Sequence, residues 1–555
     1  MLCFRIRMAR SSAPEARPVR AGTVLALVLL GHVMAWATDW PQYRGPATDG
    51  SSPDAIATTW ATNSPDFVVW TNRSLTNGFS CFAISQGRAF VLISKDDGGN
   101  LKEYCVGVDT ATGTNIWATP IGDEPWSPMA TGNGGSGTAP YNTGDGPRTT
   151  PSVKDGRVVA LSSGRYSPAQ LHLVCLNATN GSVIWSNDLV AAYGASTIAW
   201  DNGASPCLDN DFVFVNLNSS PNGQNLAAFR TADGSLAWSS QNENVTHATP
   251  VVATIQGVRQ VIFATQTCLV SLDRSTGALL WKFTYPFSPI GTSMGASPLV
   301  YSNLVYCTAA YNRGAFVVQV SLSNGSWTAA QLWFKPNSAG LPYRSIWMSP
   351  VCYQGYVYTL AGENSTFLTA PLNCIELATG NLMWTTNNFG MGGLILVNTN
   401  LVVLTEKGQV VLVQPTPSAY RELTRYQAFQ FSAAAPGKCW NSPTFSNGRI
   451  YARSTQGGIS LDVSVPARPA LKLLTPQFLN STQLQLTVST VNGTPIDSNR
   501  LSNIEVRAAN TLGASPALWP KLTNPLVLTT NGLALLTNTI PGGQSGQVFI
   551  TVEPP

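Results

Sequence analysis

The sequence predicts an all-β fold, an eight-bladed β-propeller followed by a small β-sandwich-like domain. Three observations predict it: a phrase ending in Gly and Trp that recurs down the chain, a Pro-led apolar phrase interleaved with it, and a shared period near 50 residues.

The first phrase is clearest at Val108-Asp109-Thr110-Ala111-Thr112-Gly113-Thr114-Asn115-Ile116-Trp117. It returns at Leu176-Asn177 with Gly181 and Trp185, Phe229-Arg230 with Gly234 and Trp238, Leu272-Asp273 with Gly277 and Trp281, and Ile375-Glu376 with Gly380 and Trp384. In each copy Gly precedes Trp by four residues. An apolar run, a turn in which Asp or Asn bonds its own backbone and Gly takes positive φ, and a second strand closing on Trp make a β-hairpin. The Trp stands at one repeat position, which predicts a docking role between neighbouring units rather than a ligand platform.

Before each hairpin comes a short strand led by a small residue and usually Pro, as in Thr150-Pro151, Ser205-Pro206, Thr249-Pro250, Ser297-Pro298, Ser349-Pro350 and Ser442-Pro443. The first five prolines step by 55, 44, 48 and 52 residues, room for four short strands per repeat. Hairpins ending at Trp117, Trp185, Trp238, Trp281, Trp333 and Trp384 give six units, Leu394 to Phe429 a seventh without a terminal Trp, and Trp440 to Val465 an eighth that lacks an outer strand. Phe67-Val68-Val69-Trp70 supplies that strand from the other end of the chain, so the propeller spans 67–465 and closes without an open sheet edge.

These phrases resemble the PQQ-like, or quinoprotein alcohol dehydrogenase-like, β-propeller repeat proteins of exported bacterial type. Trp40-Pro41-Gln42-Tyr43-Arg44-Gly45-Pro46 is similar to their N-terminal arm and Gly146-Pro147-Arg148-Thr149-Thr150-Pro151-Ser152-Val153 to the start of their second blade. The resemblance implies the fold; its chemistry stays open, because such blades serve both dehydrogenases and assembly scaffolds.

Residues 1–37 read as a signal peptide: Arg17 and Arg20 precede an apolar run from Val24 to Val33, and Ala35-Trp36-Ala37 offers small residues at a cleavage spacing. The run is too short to span a bilayer, so the expectation is an exported monomer, periplasmic or extracellular, with no transmembrane segment and a mature end at Thr38 or Asp39. The segment holds five Arg and one Glu. Taking these from 32 Lys and Arg and 28 Asp and Glu leaves 27 of each, so no basic field remains for nucleic acid. An arm over 38–66 is expected before the propeller. After it, a linker over 466–480 carries Pro466, Pro469 and Pro476, and a small β domain over 481–555 is marked by alternating runs such as Gln483-Leu484-Gln485-Leu486-Thr487-Val488.

Ten cysteines occur without a Cys-x-x-Cys pair, and most fall in apolar strands as small buried hydrophobes, with Cys81 and Cys439 as a candidate pair across the ring closure. Of three histidines only His172 and His247 lie beyond residue 37. Quinoprotein dehydrogenases of this resemblance use adjacent cysteines, an Arg, calcium ligands and an Asp base. The chain has no Cys-Cys pair, no Cys-x-x-Cys-His and no Asp-x-Asp-x-Asp-Gly loop. Asp96-Asp97-Gly98-Gly99-Asn100 reads as a hairpin turn and Gly132 to Gly137 as a surface loop rather than a phosphate cradle.

No catalytic or metal-binding residue is assigned. Residues just before the Pro-led strands surround the channel mouth, which nominates Arg148, Thr149, His247, Arg344, Trp347, Trp440 and Asn441 as ligand contacts. The favoured function is a non-catalytic exported scaffold binding a protein, glycan or cell-surface partner, with no cofactor. The alternative is a dehydrogenase-like redox enzyme holding PQQ with calcium in the channel.

Overall fold

The computed structural model describes residues 2–5, 26–28, 38–123, 146–162, 165–166, 169–198, 202–219, 224–290, 294–363, 366, 368–432, 437–466, 469–480, 482–509, 519–539 and 548–552. Most of the segment read as a signal peptide, and the glycine run 132–137, lie outside the described residues. The chain divides into two compact units, one of residues 37–465 and one of residues 1–36 with 466–555. Among the described residues no helix is long and apolar enough to cross a membrane.

The larger unit is a β-propeller. Among the described residues its strands form eight sheets, each built on four antiparallel repeat strands, with Ser51–Ser52 added in parallel to the seventh. Their leading strands are Ala83–Ser85, Ser152–Lys154, Cys207–Asp209, Val251–Ile255, Leu299–Tyr301, Val351–Tyr353, Gly393–Val397 and Thr444–Ser446. Seven sheets take their strands from consecutive sequence; the eighth borrows its fourth, Val68–Asn72, which pairs antiparallel with Gly457–Asp462.

Sheets dock through the Gly and Trp phrase. The Asp109 carboxylate accepts the N–H groups of Ala111 and Thr112, turning the chain so that Gly113 takes φ 74°. That glycine sits on the indole of the preceding sheet: a Cβ on Gly113 would lie 2.5 Å from Trp70, and one on Gly181, Gly234 or Gly277 2.6 Å from Trp117, Trp185 or Trp238. Each indole N–H then donates to a carbonyl of the next sheet's turn region at 2.7–3.2 Å: Trp70 to Thr110, Trp117 to Ala178, Trp185 to Thr231, Trp238 to Arg274, Trp333 to Leu377 and Trp384 to Thr416. Trp281 departs from this pattern. The fifth sheet replaces the short turn with a long hairpin, Gly314–Ser323 and Ser326–Pro336, so Trp281 bonds Gln260 of its own sheet instead.

The Pro-led phrase has its own bond. The hydroxyl before four of the six prolines accepts an N–H from the region of the preceding sheet: Cys81 to Thr150, Thr150 to Ser205, Ser205 to Thr249 and Ser297 to Ser349, all at 2.9 Å. This explains Ser or Thr at that position, since the proline cannot donate and the hydroxyl must satisfy a neighbour's amide. The seventh sheet has Gly392-Gly393 there, and a Cβ on Gly393 would lie 2.5 Å from the Ser442 backbone.

At the junction of the eighth and first sheets, Arg453 is buried and donates to the carbonyls of Leu75, Thr76, Asn77, Ser80 and Leu92 at 2.7–3.2 Å. Burial pushes its guanidinium down to about 9, still charged at neutral pH, with carbonyl dipoles replacing water. Cys81 and Cys439 are both free and buried here, so the candidate disulfide does not form. Burial also pushes the Cys81 thiol up to about 11 and those of Cys175 and Cys352 to about 12, as for buried hydrophobes.

In the smaller unit, Gln483–Thr490 pairs with Ala534–Thr539, while Glu505–Ala509 pairs with Val548–Val552 in a second sheet. Leu484, Leu486, Val488, Val506, Leu536 and Phe549 share one core. Strands Leu471–Leu473 and Gln477–Phe478 lie inside the stretch expected as linker. The alternation of Leu471 and Leu473 around Lys472 buries both leucines, which the flanking prolines obscured.

Candidate functional site

The arm expected over 38–66 occupies the hub of the propeller. Its backbone and side chains bond the leading strands, or the residues beside them, of seven of the eight sheets. The carbonyl of Trp40 accepts from Ile84 and that of Pro41 from Val153, both at 2.7 Å. Gln42 brackets Leu208, donating to its carbonyl at 3.0 Å and accepting its N–H at 2.8 Å. Thr48 does the same to Val252 through its hydroxyl, at 3.1 and 3.0 Å. Arg44 donates to the carbonyls of Thr48, Asp49 and Pro350, and Tyr43 meets the Ser349 hydroxyl at 3.0 Å. Ser51 and Ser52 pair in parallel with Leu396 and Val397, and the Thr38 carbonyl accepts from Ser446. The Trp-Pro-Gln-Tyr-Arg-Gly-Pro phrase is therefore a set of individual contacts with different sheets.

The loops before the leading strands form the other face of this hub. An aromatic chain runs across them: Phe79 stacks on Trp440 at 5.3 Å, and Trp440 meets Trp347 at 4.9 Å. Lys438 lies 4.7 Å from the Trp440 ring and 5.7 Å from Phe79, and Arg148 also lies 5.7 Å from Phe79. Trp347 leads the sixth sheet and Trp440 the eighth, so they meet across the seventh.

Carboxylates brace these loops. Glu406 accepts from the Trp440 indole at 2.8 Å and from the N–H groups of Met391 and Leu368 at 2.9 and 2.6 Å. Glu363 accepts from Arg344 at 2.8 Å and the Tyr311 N–H at 3.0 Å. Among the described residues no group of three or more His, Cys, Asp and Glu could hold a metal ion.

Of the seven nominated residues, the structure brings Arg148, Trp347 and Trp440 into one cluster. Arg344 stands in its ion pair with Glu363. Thr149 is buried, its hydroxyl on the Leu161 carbonyl at 2.6 Å, and buried Asn441 donates to the Ser80 carbonyl at 3.4 Å. His247 is half-buried with its Cβ packed on Gly203. Sequence reasoning missed Phe79, Lys438, Glu363 and Glu406. Position relative to Ser442-Pro443 could have found Lys438, whereas Glu406 belongs to a turn outside either repeated phrase.

Repeat, sheets and hub define a class: the all-β propellers of PQQ-like repeats. The family model described as outer membrane protein assembly factor BamB matches residues 101–342. Among solved structures, quinohemoprotein alcohol dehydrogenase from Comamonas testosteroni is similar at 13% identity and a TM-score of 0.52, covering 84% of each chain. BamB from Moraxella catarrhalis is similar at 14% identity and a TM-score of 0.46, over 73% of this chain and 98% of that one. Among curated proteins, none matches in sequence. Residues 101–342 match PQQ-like repeats, and the fold of the larger unit is that of a PQQ-like β-propeller.

Proposed function

We propose that the protein is an exported, non-catalytic scaffold: eight blades in one closed ring, with a sandwich-like C-terminal domain. Its loop face takes a protein, glycan or cell-surface partner. One observation carries this reading. The arm bonds seven of the eight sheets at the hub, so the centre of the ring is built from the chain's own residues.

PQQ with calcium fits poorly. The two carboxylates that brace these loops, Glu406 and Glu363, are committed to backbone N–H groups, an indole and an arginine. A calcium site needs about six to eight oxygen ligands. The face that remains exposes Trp347, Trp440 and Arg148 in part, with Lys438 and Phe79 buried, and is suited to a flat or anionic group on a partner.

The test has two arms. Titration with PQQ and Ca²⁺, followed by absorbance and calorimetry, is expected to give no stoichiometric binding. Photo-crosslinking groups placed at Trp347 and at rim residue Leu322 are expected to capture one defined envelope partner from Trp347 alone. Stoichiometric PQQ binding with alcohol-dependent dye reduction would overturn the scaffold reading, and capture from Leu322 alone would move the partner to the rim.

A further inference from the structure

Thr38 is the first described residue after the Ala35-Trp36-Ala37 motif, and its partner is specific. Its N–H donates to one oxygen of the Asp54 carboxylate at 3.0 Å and its hydroxyl to the other at 2.8 Å. This clasp joins the start of the hub arm to Asp54 within it. Asp54 is held independently of Thr38: its N–H donates to the Ser52 hydroxyl at 3.2 Å, and Ile56 two residues on is buried in the core. On the other side, the Thr38 carbonyl accepts from Ser446 of the eighth sheet at 3.2 Å. The neighbouring carboxylate of Asp39 accepts instead from the Ser85 hydroxyl and the Gln86 N–H.

We propose that removal of the leader after Ala37 converts this clasp into an ion pair between the new α-ammonium of Thr38 and the Asp54 carboxylate. The site of processing and the site of arm anchoring are then the same atom. Water adds across the Ala37–Thr38 amide. Ala37 leaves as a carboxylate, and the Thr38 amine takes up a proton, because a free α-amino group titrates near pH 8. The ammonium is formed where a carboxylate already accepts from that nitrogen, so the charge is met without rearrangement of the arm. Locking of the hub is thereby coupled to export.

The inference rests on the export reading, and the experiment separates the two. Three forms of the protein, beginning at Ala37, Thr38 and Asp39, are released from a fusion that leaves no added residue, each with Asp54 and with Asp54→Asn. The Thr38 form is expected to melt about 1 to 2 °C above the Ala37 form. D54N should erase that difference and speed acylation of the Thr38 α-amine by a mild reagent several-fold, read on the folded protein by mass spectrometry of the N-terminal peptide. Equal melting of the Thr38 and Ala37 forms, with acylation unchanged by D54N, overturns the ion pair. N-terminal sequencing of protein from the producing cells is expected to begin at Thr38. A start at Asp39 also overturns the proposal, and an uncleaved chain sinks the export reading and the processing step together.

Discussion

Rim and hub of the propeller are held together in different ways. At the rim one contact is copied: an indole lies under a glycine turn of the next sheet and its N–H meets a carbonyl there. Even a secondary bond is copied, since Asn72, Thr119 and Asn187, each two residues past a Trp, bond the carbonyls of Gly113, Gly181 and Gly234. At the hub the arm meets the sheets by different means: Trp40 by its backbone, Gln42 by its amide, Thr48 by its hydroxyl and Arg44 by its guanidinium. Repeated contacts specify how one sheet follows the next. Individual contacts tell the sheets apart and fix where the arm lies among them.

If that contrast is right, the closing junction, where both kinds of contact meet, is the most sensitive place in the molecule. Deleting residues 38–75 removes the arm and the fourth strand of the last sheet together. The truncated protein is expected to lose its cooperative transition and aggregate through the exposed edge of Gly457–Asp462, measured by scattering and thermal unfolding. Trp70→Ala keeps the strand and removes only the buried indole, at an expected cost of about 3 to 5 kcal/mol in denaturant unfolding. A truncated chain as stable and monomeric as the intact one would show that the ring closes without these residues.

Arg453→Met tests the individual contact at the same junction. Five carbonyls lose a charged donor, and the expected cost is about 2 to 4 kcal/mol, with Arg453→Lys recovering only part because an ammonium cannot span the fork. At the hub itself, Gln42→Ala leaves the buried Leu208 N–H without its acceptor, for about 1 to 3 kcal/mol. A neutral result at Gln42 would mean that the hub is held by the arm's backbone alone.

Legibility in the sequence follows the same division. The hairpins, the Pro-led strands and the borrowed strand at Trp70 were readable because each repeats, and a repeat reports its own period. The hydroxyl relay was half-readable: Ser and Thr before Pro were visible, but their acceptor role needs two sheets side by side. Arg453 gave no signal, and Gln42 and Arg44 stood out only within the arm phrase and not for their contacts, because a residue used once has no second copy to compare. The mouth residues were nominated by position alone. Position cannot distinguish Arg148, which joins the aromatic cluster, from Arg344, whose charge goes to Glu363.

The finest test of the rim contact lies within the fourth sheet. Gly257 and Gly277 both take positive φ, 79° and 72°, so replacing either with Ala carries the same left-handed backbone cost of about 1 to 2 kcal/mol. Their surroundings differ: a Cβ on Gly257 meets nothing within 4 Å, while one on Gly277 lies 2.6 Å from the Trp238 ring. Gly277→Ala is therefore expected to cost about 1 kcal/mol or more beyond Gly257→Ala, because the indole must shift and lengthen its bond to the Arg274 carbonyl. Tryptophan fluorescence should change in Gly277→Ala only. Equal losses at the two glycines would mean that the turn gives way instead of the indole, and that the Gly and Trp phrase is kept for its backbone conformation and not for its fit.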